Sequence, residues 1–291
     1  MCPAEPDLIS VVIPTRNRSS RLSSAIRSVL DQTWPRVEVI VVDDASSDGT
    51  PELLRTLEAE DERIRVIRNE APCGGGRSRN IGIAAATGPY VAFLDDDDLW
   101  MPSKLRVQHD LMKADPGASA VSCGFVVEFS SWRRRMVRVP PPKESEEILR
   151  VNTLGGASMC LTTKATLAVV GGFDPQLRSC QDWDLWIKLC DAGRVLACRE
   201  ALVRYVPHRD TRISNNLRSI YEGRRRLYCR YRARMAASTR RRHLGELIFL
   251  KKVLLGERGR SRMRGVVQVS RLSGVLGSIR YLYRYLKAVA P

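Results

Sequence analysis

Aromatic side chains are scarce in this chain, 6% of 291 residues, but an apolar fraction of 44% supplies enough core for one full α/β domain and a smaller appendage. That balance excludes a disordered chain. None of the eight cysteines forms a C-x-x-C pair, and no secretory leader precedes the first strand-like run. The expectation is reduced thiols in a cytosolic protein, not a zinc site or a disulfide framework. No apolar stretch approaches the roughly 20 residues of a membrane span; the run from Leu244 to Gly256 is cut by charges. Neither G-x-G-x-x-G nor G-x-x-x-x-G-K-[ST] occurs, which argues against a dinucleotide oxidoreductase and a P-loop NTPase. Acidic residues are sparse at one end only. From Arg204 to Pro291, 23 Lys/Arg stand against 4 Asp/Glu, leaving 25 basic and 28 acidic residues before them. The formal charge of +16 therefore belongs to the last third of the chain.

Up to about residue 100, short β-branched runs alternate with helical spacing, the mark of βαβ units and a mostly parallel sheet. Strands are expected at Leu8 to Pro14, Val37 to Asp43, Ile64 to Arg68 and Tyr90 to Asp95, and helices at Arg21 to Gln32 and Pro51 to Glu60. Asp48 or Thr50 is the expected cap of the second helix. Right-handed crossovers make a doubly wound sheet the default topology. Two further strands, Ala120 to Phe129 and Arg134 to Val139, flank a turn holding Trp132 and Arg133. A proline-rich loop, a short helix from Ser145 to Val151, the small-residue segment from Gly155 to Ser158, a strand before Gly171-Gly172-Phe173-Asp174, a helix around Trp183 and Trp186, and a final strand from Val195 to Tyr205 follow. From Leu217 two or three helices are expected, broken near Gly256 to Gly259 and Gly274 to Gly277.

Four consecutive aspartates, Asp95 to Asp98, follow the apolar run Tyr90 to Leu94. A buried parallel strand ending there delivers them to the carboxyl edge of the sheet, where open α/β folds bind ligands. So many like charges raise one another's pKa values unless a cation offsets them, and a hard divalent ion suits oxygen donors. A solvated acidic loop is the competing, less favoured reading. Asp43 and Asp44 end another strand-like run; one of them could accept hydrogen bonds from a base or sugar, or the pair could serve a turn and helix cap. Gly74-Gly75-Gly76 opens a helix carrying Arg79 and Asn80, either as a phosphate-side loop or as a simple turn.

Six segments in order, VVIPTRNR, VVDDASSDGT, GGGRSRNIGIAAATGPYVAFLDDDDLW, GGFD, QDWDLW and YVPHRDTRIS, make the first 214 residues resemble the inverting family 2 glycosyltransferases of the GT-A fold. The resemblance implies a Rossmann-like α/β catalytic domain over residues 1–214 and a basic helical region over 215–291. It implies that Asp44 recognises the nucleobase, typically uracil, with Pro14, Thr15 and Asn17 lining the same pocket. Asp95 and Asp97 fall on the D-x-D positions, with Asp97 the direct ligand of a divalent metal (Mn or Mg) and Asp96 within the same loop. Arg79 matches a basic donor-site residue, and Asp182 the general base. His208, Arg212 and Ser214 match a loop that meets the diphosphate and metal, His208 as a metal ligand. Gln181 departs from the glutamate usual before the base, leaving a less negative field on Asp182. Trp183 and Trp186 are either core or, for one of them, an acceptor floor, since aromatic faces pack against sugar rings.

The implied partners are a nucleotide-diphosphosugar donor, typically UDP-linked, and a glycan or lipid-linked acceptor. The basic C-terminal region, with arginine clusters at Arg224 to Arg226, Arg240 to Arg242 and Arg258 to Arg264, suits an anionic membrane surface at the inner face of the plasma membrane. Nucleic-acid binding reads the same charge but is disfavoured by the upstream motifs, and a solvated bundle is the third reading. A nucleotidyltransferase fits Pro14 to Asn17 poorly. A degenerate transferase scaffold has only Gln181 in its favour.

Overall fold

The computed structural model describes residues 7–130, 133–137, 145–205 and 216–254. Its elements in chain order are β1 Ile9–Thr15, α1 Ser19–Leu30, β2 Val37–Asp43, α2 Thr50–Glu60, β3 Ile64–Arg68, α3 Gly75–Ala85, β4 Tyr90–Phe93, β5 Asp98–Trp100, α4 Lys104–Ala114, β6 Ala118–Ser130 and β7 Arg133–Val137. They continue with α5 Ser145–Arg150, a 3-10 turn Ala157–Met159, β8 Leu161–Thr163, α6 Lys164–Val170, α7 Gln181–Ala192, β9 Arg194–Tyr205, α8 Leu217–Tyr231 and α9 Ala237–Leu254.

The strands form one sheet in the order β3-β2-β1-β4-β8-β6-β9-β5, with β7 pairing antiparallel with β6 off this path. The expected parallel nucleus is present as β3-β2-β1-β4. β1 is buried along its whole length, as a strand covered on both faces requires. Beyond β4 the sheet is mixed. β8 pairs antiparallel with both β4 and β6, β6 runs parallel to β9, and β5 returns antiparallel against β9. Strands are expected near β6, β7, β8 and β9, but their pairing is not, and the three-residue β5 is read only as part of the acidic run and the residues after it.

Register places the functional residues. Thr15 pairs with Asp43, and Val12 with Phe93. The ends of β1, β2 and β4 therefore lie level at one edge, with Thr15 opposite the acidic run that follows Phe93. α3 can approach β1 closely because Gly82 has no side chain: a Cβ there would lie 2.3 Å from Val12 Cγ1. The expected cap of α2 differs in detail. Gly49 is the N-cap residue and makes no side-chain cap bond, while Asp48 Oδ1 accepts from the Thr50 N–H at 3.0 Å.

The chain divides into two compact units. The first takes in residues up to Ser145 together with Asn152–Gln176 and the segment from Asp182; the second comprises Glu146–Val151, Leu177–Gln181 and the C-terminal helices. These units are set by long-range contacts, so the second takes in two short segments that precede it in sequence. Within that second unit α8 is capped by Asn216, whose Oδ1 accepts from the Ser219 N–H at 3.0 Å. Glu246 of α9 pairs with both Arg224 and Arg242, and His243 Nε2 lies 2.8 Å from the Leu149 carbonyl. The break between α8 and α9 falls at 232–236; the breaks expected near 256 and 274 lie outside the described residues.

Candidate active site

Two acidic strand ends meet at the level edge. At the end of β2, Asp43 is 1% exposed and serves a turn: Oδ1 accepts from the Ser46 N–H at 3.0 Å and Oδ2 meets Arg68 Nη1 at 2.9 Å. Asp44 is held differently. Its Oδ1 accepts from Asn69 Nδ2 at 2.9 Å and the Cys73 N–H at 2.8 Å, and its Oδ2 from the Gly74 N–H at 2.8 Å. Burial alone would raise this carboxyl, but the donors from Cys73, Asn69 and Gly74 outweigh it and hold it below the usual carboxylate range. Gly74 makes this possible with φ +89°, a backbone conformation that L side chains rarely adopt. The turn after Asp44 is strained, with Ala45 at φ 55° and Asn17 across from it at φ 54°. Asn17 Oδ1 accepts from the Ser47 N–H at 2.8 Å, and its own N–H donates to Ser46 Oγ at 2.9 Å, so the ends of β1 and β2 are stitched together.

At the end of β4 the four aspartates take four environments. Asp95 Oδ1 accepts from Arg79 Nη2 at 2.5 Å, and the Arg79 guanidinium lies 5.3 Å from the centre of the Phe173 ring. Asn80 fixes that ring from its backbone: Nδ2 donates to the Phe173 carbonyl at 2.7 Å and Oδ1 accepts from its N–H at 2.9 Å. Asp96 accepts from the Thr15 hydroxyl at 2.8 Å and has Arg18 Nε at 4.0 Å. Burial, with the negative charges of Asp97 and Asp95, still pushes Asp96 up to about 7 against the pull of Thr15 and Arg18. Asp97 lies half-buried in the turn, and Asp98 turns inward, 3% exposed, onto the Ser158 hydroxyl at 2.6 Å.

Asp182 sits half-buried in the first turn of α7, where Oδ1 accepts from the Trp183 N–H at 2.9 Å. Burial is the main reason its carboxyl is pushed up to about 6; the Asp95 charge adds to the rise, while the Trp183 N–H and Arg79 oppose it. Asp182 therefore lies within the electrostatic reach of the acidic strand end. Trp183 and Trp186 are 5% and 1% exposed, and the Trp186 Nε1–H donates to the Gly155 carbonyl at 3.0 Å. Both rings are packed, in keeping with the core alternative for the pair. The sequence reading missed Arg18, Asn69, Phe173 and Ser158 as parts of the site, all of them side chains or backbone groups brought in from other elements. His208, Arg212 and Ser214 lie outside the described residues.

The donor set suits a hard divalent ion held partly by substrate. Among the described residues no three His, Cys, Asp or Glu side chains gather to hold an ion unaided. Asp95, Asp96 and Asp97 nevertheless concentrate carboxylate oxygens, and the raised Asp96 marks negative charge that a cation would offset. One or two carboxylates completed by phosphate oxygens is the usual manner of holding Mg²⁺. The seven cysteines among the described residues are free thiols; burial pushes Cys123 and Cys160 up to about 12, which makes them inert packing.

The profile of glycosyl transferase family 2 matches residues 10–166, from β1 through the acidic strand end into α6. Over 201 residues the chain is 33% identical to a putative teichuronic acid biosynthesis glycosyltransferase, TuaG, of Bacillus subtilis, covering 68% of this chain and 78% of that protein. It is 40% identical over 190 residues to the UDP-Glc:alpha-D-GlcNAc-diphosphoundecaprenol beta-1,3-glucosyltransferase WfgD of Escherichia coli, covering 65% and 72%. Among solved structures, S. aureus TarS 1-349 in complex with UDP-GlcNAc matches with a TM-score of 0.68 at 18% identity, over 97% of this chain and 88% of that one. A mannosyltransferase from Pyrobaculum calidifontis, in complex with GDP-Man and Mn²⁺, matches with a TM-score of 0.57 at 18% identity, over 98% and 74%. Identities so low show the shared GT-A fold, whereas the profile and the closer sequences show kinship: this chain belongs to glycosyl transferase family 2.

Proposed function

We propose that this glycosyltransferase moves a sugar from a UDP-linked donor to a glycan or lipid-linked acceptor of a cell-envelope polysaccharide, with inversion at the anomeric carbon. The observation that carries this reading is the placement of Asp182 in the field of Asp95 and Arg79, which sets a carboxylate raised to about 6 beside the acidic strand end. UDP and a lipid-linked acceptor are supported by the relatives TarS and WfgD, and a divalent ion by the Mn²⁺ complex of the archaeal mannosyltransferase.

In this mechanism Pro14, Thr15 and Asn17 line the nucleoside pocket beside Asp44. Asp44 already accepts three hydrogen bonds, and Oδ2 retains acceptor capacity for a base N–H. Asp97 and Asp95 would hold Mn²⁺ or Mg²⁺, which when bound offsets charge on the departing diphosphate. Asp182 takes the proton of the acceptor hydroxyl as its oxygen bonds to the anomeric carbon; the bond from that carbon to the diphosphate oxygen breaks on the opposite face, and the nucleoside diphosphate leaves. A raised carboxyl is a better proton acceptor than an ordinary one and is still ionised at neutral pH. Gln181, neutral before the base, donates to the Leu177 carbonyl at 2.6 Å.

We also propose a peripheral place on an anionic membrane surface for the C-terminal unit, supported by the basic excess from Arg204 onward. No helix among the described residues is long and apolar enough to cross a membrane. The test of the catalytic reading is release of nucleoside diphosphate from UDP-, GDP- and dTDP-sugars with Mn²⁺ or Mg²⁺, followed by proton NMR of the product's anomeric centre. Metal-dependent release from a UDP-sugar with an inverted product is expected. A retained configuration, or silence across the panel with no donor binding, contradicts it.

A further inference from the structure

Ser158 is the middle residue of the 3-10 turn Ala157–Met159 and is fully buried. Its hydroxyl donates to Asp98 Oδ2 at 2.6 Å and accepts from the Asp95 N–H at 3.1 Å, so one oxygen spans the two ends of the acidic turn. The turn is closed internally by the Asp98 N–H donating to the Asp95 carbonyl at 3.1 Å. Ser158 grips the following strand as well, because its carbonyl accepts from the Trp100 Nε1–H at 3.0 Å. Trp100 is in turn seated on Lys104, whose ammonium lies 3.8 Å from the ring centre and 2.6 Å from Gln108 Oε1. Asp96, held by the Thr15 hydroxyl, and Asp97 are the two carboxylates between the gripped ends. A short loop carrying this much like charge spreads unless its ends are pinned.

We propose that Ser158 is a positioning residue that holds the Asp95–Asp98 turn in the shape that binds the diphosphate of the donor and its cation. The proposal rests on the reading of that turn as the donor site. It touches neither ligand; it acts through the Asp95 backbone and the Asp98 carboxylate. The buried hydroxyl of Ser122 provides a matched control. It donates to a neutral acceptor, the Leu154 carbonyl at 2.7 Å, within the same unit and with no bond to the acidic turn among the described residues.

The experiment is calorimetric titration of the full chain with UDP in the presence of Mn²⁺, together with electron paramagnetic resonance of Mn²⁺ alone, for wild type, Ser158→Ala and Ser122→Ala. Ser158→Ala should weaken UDP binding about tenfold, the worth of one charge-assisted hydrogen bond, while Ser122→Ala lowers the melting temperature and leaves binding unchanged. Equal binding by Ser158→Ala and wild type, or equal weakening in both variants, overturns the positioning role. If Ser158→Ala does not fold, Ser158→Thr and Ser158→Cys decide: the first keeps the hydroxyl and should bind as wild type, the second should weaken, and identical behaviour overturns the proposal. Failure of the wild type itself to bind any nucleoside diphosphate overturns the donor-site reading, and the role of Ser158 with it.

Discussion

The carboxylates at the ends of β2 and β4 have the same chemistry and sit at the same sheet edge, yet the protein treats them in opposite ways. Asp44 is surrounded by N–H donors and held ionised below the usual range. Asp96 is pushed up to about 7 by burial, with two neighbouring carboxylates adding to the rise against one hydroxyl and a guanidinium at 4.0 Å. On the proposed function, the satisfied charge would wall the pocket and the under-compensated charge would meet what arrives with the substrate.

The largest effect should come from the groups assigned to chemistry. Asp182→Asn and Asp97→Ala are each expected to lower turnover at least about a thousandfold, the scale of a lost general base or ion ligand, in a nucleoside-diphosphate release assay with unchanged melting temperatures. Asp44→Ala should instead strike the fold. Leaving the Cys73 and Gly74 N–H groups and the Asn69 amide without their acceptor costs about 2–4 kcal/mol, measured by urea unfolding.

The two acidic ends should also respond to pH with opposite signs. The Asp44 pKa is lowered on folding, so its contribution to stability is present above the ordinary value of 3.8 and is lost as pH falls through the folded value beneath it. The Asp96 pKa is raised, so the folded chain holds a proton that the unfolded chain has released, and stability declines as pH rises from 3.8 to about 7. Asp96→Asn should remove that decline. It should gain on the order of 1–3 kcal/mol over wild type at pH 8 and nothing at pH 4, in paired denaturation series without divalent ions. A smaller shift is expected in the rate profile. kcat/KM should rise with pH up to about 6 as Asp182 ionises, and Arg79→Gln should move that inflection to higher pH, because Arg79 lowers it in the wild type. Smallest of all, Arg55→Ala removes an ion pair with Glu52 whose side chains are 72% and 78% exposed, and should leave turnover and unfolding unchanged within error.

The places of both acid groups were visible in the amino acids. Apolar runs ending in Asp43-Asp44 and Asp95 to Asp98 place both acid groups at strand ends, and the strands Val37–Asp43 and Ile64–Arg68 lie where their residues predict. Which acid is satisfied was not visible, because the donors come from elsewhere in the chain: Asn69 and Cys73 to Asp44 across 25 and 29 residues, Thr15 to Asp96 across 81, Ser158 to Asp98 across 60. The small-residue segment around Gly155 and Gly156 was noticeable, but nothing in its composition says that the next serine points into an acidic turn. Trp183 and Trp186 show the converse limit. Helical spacing beside Asp182 fits a sugar platform and a core equally, and only burial separates the two.

The central claim is that Asp182 acts on the acceptor while the β4 carboxylates act on the donor. The most direct test compares UDP binding and turnover in Asp182→Asn. Wild-type affinity for UDP with Mn²⁺, together with turnover reduced at least about a thousandfold, is the predicted result. Turnover within about threefold of wild type, a difference of well under 1 kcal/mol in the barrier, would contradict the assignment and move the base elsewhere in the site.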